Sequence, residues 1–232
     1  MNLFFIARVH LLGKAWKVVK LKLLSTIYNE LLKAFGPQHW WPGNSPLEIS
    51  VGAILTQNTN WTNVEKAIAN IKREELLTVE GLLNLPTQKL ENLIRPSGFY
   101  RQKAKRLKTF LNFLHNTYKG SFSNIEPVQT HTLREQLLAL NGIGPETADS
   151  IILYALERPV FVVDAYTRRF LFRHQLIHEK ASYDMVQQLF HSALPFDTFL
   201  FNEYHALIVK LGKFYCKTKP LCSECPINAL LI

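Results

Sequence analysis

Cysteine is scarce. The chain has three, Cys216, Cys222 and Cys225, and none in its first 215 residues. A disulfide-stapled secreted scaffold uses more, in even number and spread along the chain, so that class is excluded. The clustering reads instead as a reducing compartment, cytoplasmic by expectation, and a local metal site. No run of about 18 uncharged apolar residues occurs, so no membrane-spanning helix and no membrane partner are expected. Charged residues are few, 19% against 47% hydrophobic, which leaves ample material for a core and excludes intrinsic disorder. Strand signals are also few: Val160-Phe-Val-Val163 is extended in character but too short to support a sheet.

Acid is the minority charge. Lysine plus arginine total 27 and aspartate plus glutamate 18, a net charge of +9 on 232 residues. That balance favours a polyanion, nucleic acid first and an acidic membrane surface second, with plain solubility charge as the bland alternative. The length predicts one or two domains. Residues 1–20 read as a basic amphipathic extension, because the apolar stretch Leu3 to Ala7 is too short for a signal-peptide core. A misassigned start, with the domain beginning near Leu21, is the alternative.

Helical periodicity dominates the rest. Leu23, Leu24, Ile27, Leu31 and Leu32 form an apolar stripe that Gly36-Pro37 ends. The loop 38–46 carries Trp40 and Trp41. Helices are predicted over Leu47–Gln57, Asn60–Lys72 (with Thr62 as N-cap), Leu76–Leu85, Thr87–Arg95, Tyr100–Tyr118, Thr132–Leu140, Glu146–Leu156, Asp164–His174, Ser182–Ala193 and Phe199–Tyr215. The fold is expected to be all-α. Tyr100–Tyr118 carries a basic face, Arg101, Lys103, Lys105, Arg106 and Lys108, for phosphate or solvent.

Two segments carry chemistry. Leu140-Asn-Gly-Ile-Gly-Pro-Glu-Thr-Ala-Asp149 places Gly142, Ile143 and Gly144 in a tight turn between helices. The helix start after it, including Thr147, suits a DNA phosphate irrespective of base sequence; an ordinary helix–helix turn is the alternative. Asp164 follows the apolar run Val160–Val163 and opens a helix, where an aspartate is most often an N-cap.

Together these segments resemble the helix-hairpin-helix DNA glycosylases, the HhH-GPD superfamily of endonuclease III. There a hairpin LxGxGxxTA is followed by an essential aspartate in a V-D-x-x-x-x-R context. Both elements are present, with Asp164 lying 18 positions after Glu146. The resemblance spans roughly residues 22–228. It implies a two-lobed all-α glycosylase with its cleft between the lobes, and Asp164 as the catalytic carboxylate. Bifunctional members carry a lysine nucleophile where this chain has Glu146. A carboxylate cannot form a Schiff base, so the resemblance implies a monofunctional enzyme.

Gln38-His-Trp-Trp-Pro42, Ile54 to Trp61 and Ile94 to Leu107 are similar to the bacterial 3-methyladenine DNA glycosylases of endonuclease III type. The resemblance places Trp40, Trp41, Pro42 and Trp61, with Glu146, around the base. Methylated purines are cationic and an indole face attracts a cation; core packing is the alternative role for these tryptophans. Gln57 matches the residue pushed into the gap left by the flipped base, and Pro96-Ser97-Gly98 a second wedging loop. The cysteine tail resembles the 4Fe–4S loop C-x6-C-x2-C-x5-C of endonuclease III, with two departures. The first gap is one residue shorter, and Leu231 stands in the fourth position. A labile cluster, a non-cysteine ligand, an empty site, or zinc with a histidine such as His205 all stay open.

The expected function is a monofunctional glycosylase that hydrolyses the bond to a flipped alkylated purine such as 3-methyladenine. It would act as a monomer on double-stranded DNA. Uracil or thymine removal at mismatches, a bifunctional glycosylase/lyase and a non-catalytic DNA binder are the alternatives. The expected lobes are 40–158, a six-helix lobe with the hairpin, and 21–39 with 159–232.

Overall fold

The computed structural model describes residues 22–230; residues 1–21 and 231–232, and with them the N-terminal extension and Leu231, lie outside the described residues. No strand occurs among the described residues. The chain divides into two compact units: one is the chain up to Trp40 together with Pro159 onward, and the other is Trp41–Arg158. Trp40 thus groups with the discontinuous unit.

The continuous unit holds α2 (Pro46–Leu55), α3 (Trp61–Arg73), α4 (Val79–Asn84), α5 (Thr87–Ile94), α6 (Tyr100–Tyr118), α7 (Thr130–Leu138) and α8 (Pro145–Ser150). The last is prolonged by a wide helical turn over Ile151–Ala155. Helix α2 is its axis: Pro46 presets the first turn, Ser45 accepts from the Glu48 N–H, and eight of its residues are buried. Helix α3 lays Val64, Ala67, Ile68 and Ile71 inward at helical spacing. Its N-cap is Asn60, not Thr62: the Asn60 side chain accepts from the Asn63 N–H at 3.1 Å. The helix expected over Leu76–Leu85 spans only Val79–Asn84, because Thr78 caps it through the Gly81 N–H. Arg134 and the fully buried Asp149 form a two-bond ion pair, 2.7 and 3.1 Å, that ties α7 to α8.

The basic face of α6 is largely not a face. Lys103 is fully buried and donates to the carbonyls of Leu55 (2.8 Å) and Ser97 (2.6 Å). Burial, then the nearby Arg106 charge, lowers its pKa to about 8. Lys108 caps the end of α4 through Leu83 and Leu85, and burial lowers its pKa too. Of the five cations expected to meet phosphate or solvent, only Arg101 and Lys105 are exposed.

The discontinuous unit holds α1 (residues 22–35), α9 (Ala165–Arg173), α10 (Tyr183–Ala193) and α11 (Thr198–Phe214). Leu24, Ile27 and Leu31 of α1 are fully buried, and the Tyr204 hydroxyl of α11 donates to the Leu24 carbonyl at 2.9 Å. Phe161 stacks on Phe190 with ring centroids 3.6 Å apart. Each such side chain contributes about 1.5–3 kcal/mol by leaving water. Gly212 lets α9 and α11 approach, since a Cβ there would collide with the Tyr166 ring.

Candidate active site and DNA-contact elements

Asp164 is placed by an unusual support. Val160–Val163 is buried, and among the described residues no strand takes its backbone groups. Three side chains one turn apart on α10 take them instead. The Gln187 amide donates to the Phe161 carbonyl at 2.7 Å, His191 Nε2 accepts from the Phe161 N–H at 3.0 Å, and the Tyr183 hydroxyl accepts from the Val163 N–H at 3.2 Å. The backbone is therefore fixed up to the residue before the carboxylate.

Asp164 caps α9: its Oδ1 accepts from the Thr167 N–H at 2.7 Å. Its Oδ2 lies 3.8 Å from Nε2 of His205, and 13% of the side chain is exposed. His205 is buried on α11; burial pushes its pKa down, and the Asp164 charge only partly opposes that. The imidazole is therefore neutral near pH 7.

The hairpin between α7 and α8 divides its work among its residues. Gly142 has φ +87, and a Cβ on it would run into Arg106. Glycine is needed there on both counts. Ile143 is buried and its N–H donates to the Leu140 carbonyl, so it anchors the turn. Gly144 is different: its φ is −92, and a Cβ on it would meet nothing within 4 Å. Gln57 is tied into this hairpin. Its amide donates to the Gly142 carbonyl (3.1 Å) and Thr147 Oγ1 (2.9 Å), and its oxygen accepts from Arg106 at 2.5 Å. Gln102, Lys105, Arg106, Thr109 and Asn141 line a polar groove of about 460 Å³ beside the turn. Glu146 is exposed in the first turn of α8.

The wedge-loop segment ends in a residue that motif matching missed. After Gly98 (φ +68), Phe99 adopts φ +45 and is 62% exposed. An aromatic carried outward on left-handed backbone is uncommon. Its sequence signal, a glycine followed by an aromatic at a helix start, is weak.

The aromatic residues separate into groups. Trp41 packs edge-on to Trp61 (5.0 Å) and tilted on Tyr154 (4.9 Å), over Gly52, where a Cβ would lie 3.3 Å from the Trp61 ring. The Trp61 indole N–H donates to Glu65. Pro42 lines a separate groove of about 320 Å³ with Glu48, Glu65 and Lys72. Trp40, in the other unit, has the Lys213 ammonium 5.8 Å from its ring centroid.

The cysteine loop follows α11 and is held by two arginines of α9. Arg169 donates to the carbonyls of Cys216 (2.7 Å) and Gly212 (3.1 Å). Arg173 donates to Cys216 Sγ at 3.3 Å and to the carbonyls of Lys217 and Thr218. All three cysteines line one cavity of about 280 Å³ with His174, Leu211, Tyr215, Pro220 and Leu221. Burial is the largest effect on Cys225 and pushes its thiol up. Among the described residues no three His, Cys, Asp or Glu side chains converge on a single ion's radius. His205 faces Asp164 and is not among the residues lining the cysteine cavity.

Comparison with known proteins agrees with this arrangement. The HhH-GPD superfamily of base excision DNA repair proteins matches over residues 51–196. MJ1434 of Methanocaldococcus jannaschii, provisionally named as a DNA repair glycosylase, is 50% identical over 211 residues, 90% of this chain and 96% of that protein. The H. pylori 3-methyladenine DNA glycosylase MagIII, solved with 1,N6-ethenoadenine, is 33% identical with a TM-score of 0.70, over 83% of this chain and 95% of its own. An endonuclease III–DNA complex shares the fold, with a TM-score of 0.78 at 23% identity over 91% of this chain and 94% of its own. The chain is a DNA glycosylase of the HhH-GPD superfamily of base excision repair proteins.

Proposed function

We propose that this glycosylase is monofunctional. In this reading it removes an alkylated purine such as 3-methyladenine from double-stranded DNA by hydrolysis, with Asp164 as its catalytic carboxylate. The observation that carries the proposal is the state of Asp164. One oxygen is committed to the helix cap, the other stands beside a neutral histidine, and the backbone behind it is pinned by α10. Cleaving an N-glycosidic bond builds positive charge on the sugar. A fixed carboxylate in a partly desolvated position stabilises that charge and accepts a proton from the attacking water. The water oxygen bonds to C1′ and the base leaves with the electron pair of the broken bond.

The remaining parts fit the steps before chemistry. Gly144 is a glycine that the protein's own packing does not require, which is what a DNA backbone lying against the hairpin would demand. Lys105, with Arg106, supplies cations beside it. Phe99 is an apolar wedge carried outward, suited to unstacking a base step. Gln57 would exchange its hydrogen bonds to the hairpin for contacts in the emptied stack. Trp41 and Trp61, packed on each other, offer aromatic surface to the flipped purine. The similarity to the H. pylori 3-methyladenine enzyme supports this substrate class. Glu146, a carboxylate in the lysine position, supports the absence of lyase chemistry. Cys216, Cys222 and Cys225 would hold a 4Fe–4S cluster, which would cross-link the tail loop and place negative charge beside Arg173.

Base release from methylated duplex, beside a uracil duplex, tests the proposal. It predicts free 3-methyladenine with strand breaks appearing only after alkali. Breaks without alkali would contradict the monofunctional assignment, and release of uracil alone would contradict the purine pocket.

A further inference from the structure

We propose that His174 supplies the fourth ligand of a 4Fe–4S cluster whose other ligands are Cys216, Cys222 and Cys225. The proposal rests on the cluster reading above. A cubane has four irons, each needing an outer ligand, and the chain supplies three thiols there with leucine in the remaining position. The structure brings one more donor to the same cavity. His174 ends α9, directly after Arg173, and lines the cavity with the three cysteines. It is 5% exposed, and its Nδ1 makes no hydrogen bond. Its backbone N–H is bound by Phe170 and Phe172, and its ring packs against Phe170 at 4.9 Å. A ring nitrogen buried without a hydrogen bond is costly, and a bond to metal removes the cost.

The surroundings suit the same role. Leu211, Tyr215, Pro220 and Leu221 keep the cavity largely apolar, so water is a poor competitor for the iron that lacks a thiolate. The Arg173 guanidinium, donating to Cys216 Sγ, offsets thiolate charge. Ligation of an assembled cluster changes no oxidation state: the three thiols release protons to solvent, and the neutral imidazole donates a lone pair. One imidazole in place of a thiolate leaves the cluster one unit less negative, which raises its reduction potential.

The test reconstitutes the full chain with ferric iron, sulfide and excess dithiothreitol under anaerobic conditions, the thiol reducing half of the irons. Iron and sulfide are then counted, and electron paramagnetic resonance spectra are followed under mild ferricyanide. The wild type is expected to keep four irons. His174→Ala is expected to lose one iron at least about tenfold faster, with the spectrum of a three-iron cluster, and His174→Cys to retain all four. Thermal melts of the iron-free variants control for folding. If His174→Ala holds four irons as long as the wild type, the ligand assignment is overturned and the cluster stands. A wild type that takes up no iron, or binds zinc in its place, overturns the cluster reading itself.

Discussion

Gly142 and Gly144 look alike in the sequence, two residues apart in one turn, yet the structure gives them different reasons to be glycine. Gly142 is demanded from within, by its positive φ and by Arg106 pressed against it. Gly144 has an ordinary φ and open space. Gly142→Ala is therefore expected to cost about 1–2 kcal/mol from the left-handed backbone alone, more with the clash. Gly144→Ala should change stability by less than about 0.5 kcal/mol while weakening DNA binding. Thermal melts paired with a binding titration separate the two, and a Gly144→Ala protein that binds DNA normally would remove the phosphate reading. His205 gives a pH signature at the same scale. Burial lowers its pKa, so below its ordinary value of about 6.5 the unfolded chain takes up the proton first. Stability should thus fall as pH drops below about 6.5, until the folded-state pKa is passed. His205→Gln should flatten that part of a melting-temperature profile.

At the scale of elements, periodicity located the helices but not what their polar faces do. The lysines of α6 read as a solvent or phosphate stripe, because spacing cannot tell a cation that meets phosphate from one that caps a buried carbonyl. Lys103 and Lys108 do the latter. Tyr183, Gln187 and His191 form a polar stripe at a spacing of four, whose task shows only once Phe161 and Val163 are seen to lack a sheet partner. The pairing of Arg134 with Asp149 was equally hidden, fifteen residues apart across a turn. That pair makes a sharp prediction. Arg134→Met takes the guanidinium away from a fully buried carboxylate and should destabilise the protein by about 3–5 kcal/mol, read from denaturant unfolding. Replacing both partners with apolar residues should recover much of the loss.

For the whole molecule, the fold was legible because its motifs are local: a hairpin, an aspartate after a short apolar run, and amphipathic helices with clear stops. Trp41 and Trp61 carry two compatible signals, packing and base contact, and in the structure they pack on each other and on Tyr154. The fourth cysteine position was a departure that sequence alone left open. His174 became a candidate only through shared lining of one cavity, since it lies 42 positions before Cys216. The central claim, that Asp164 carries the chemistry, is tested most directly by single-turnover base release from methylated duplex with Asp164→Asn. Asparagine caps a helix as well as aspartate does, so the fold and DNA affinity should persist. Release is predicted to slow by about 10²–10⁴-fold. Release at the wild-type rate would contradict the account.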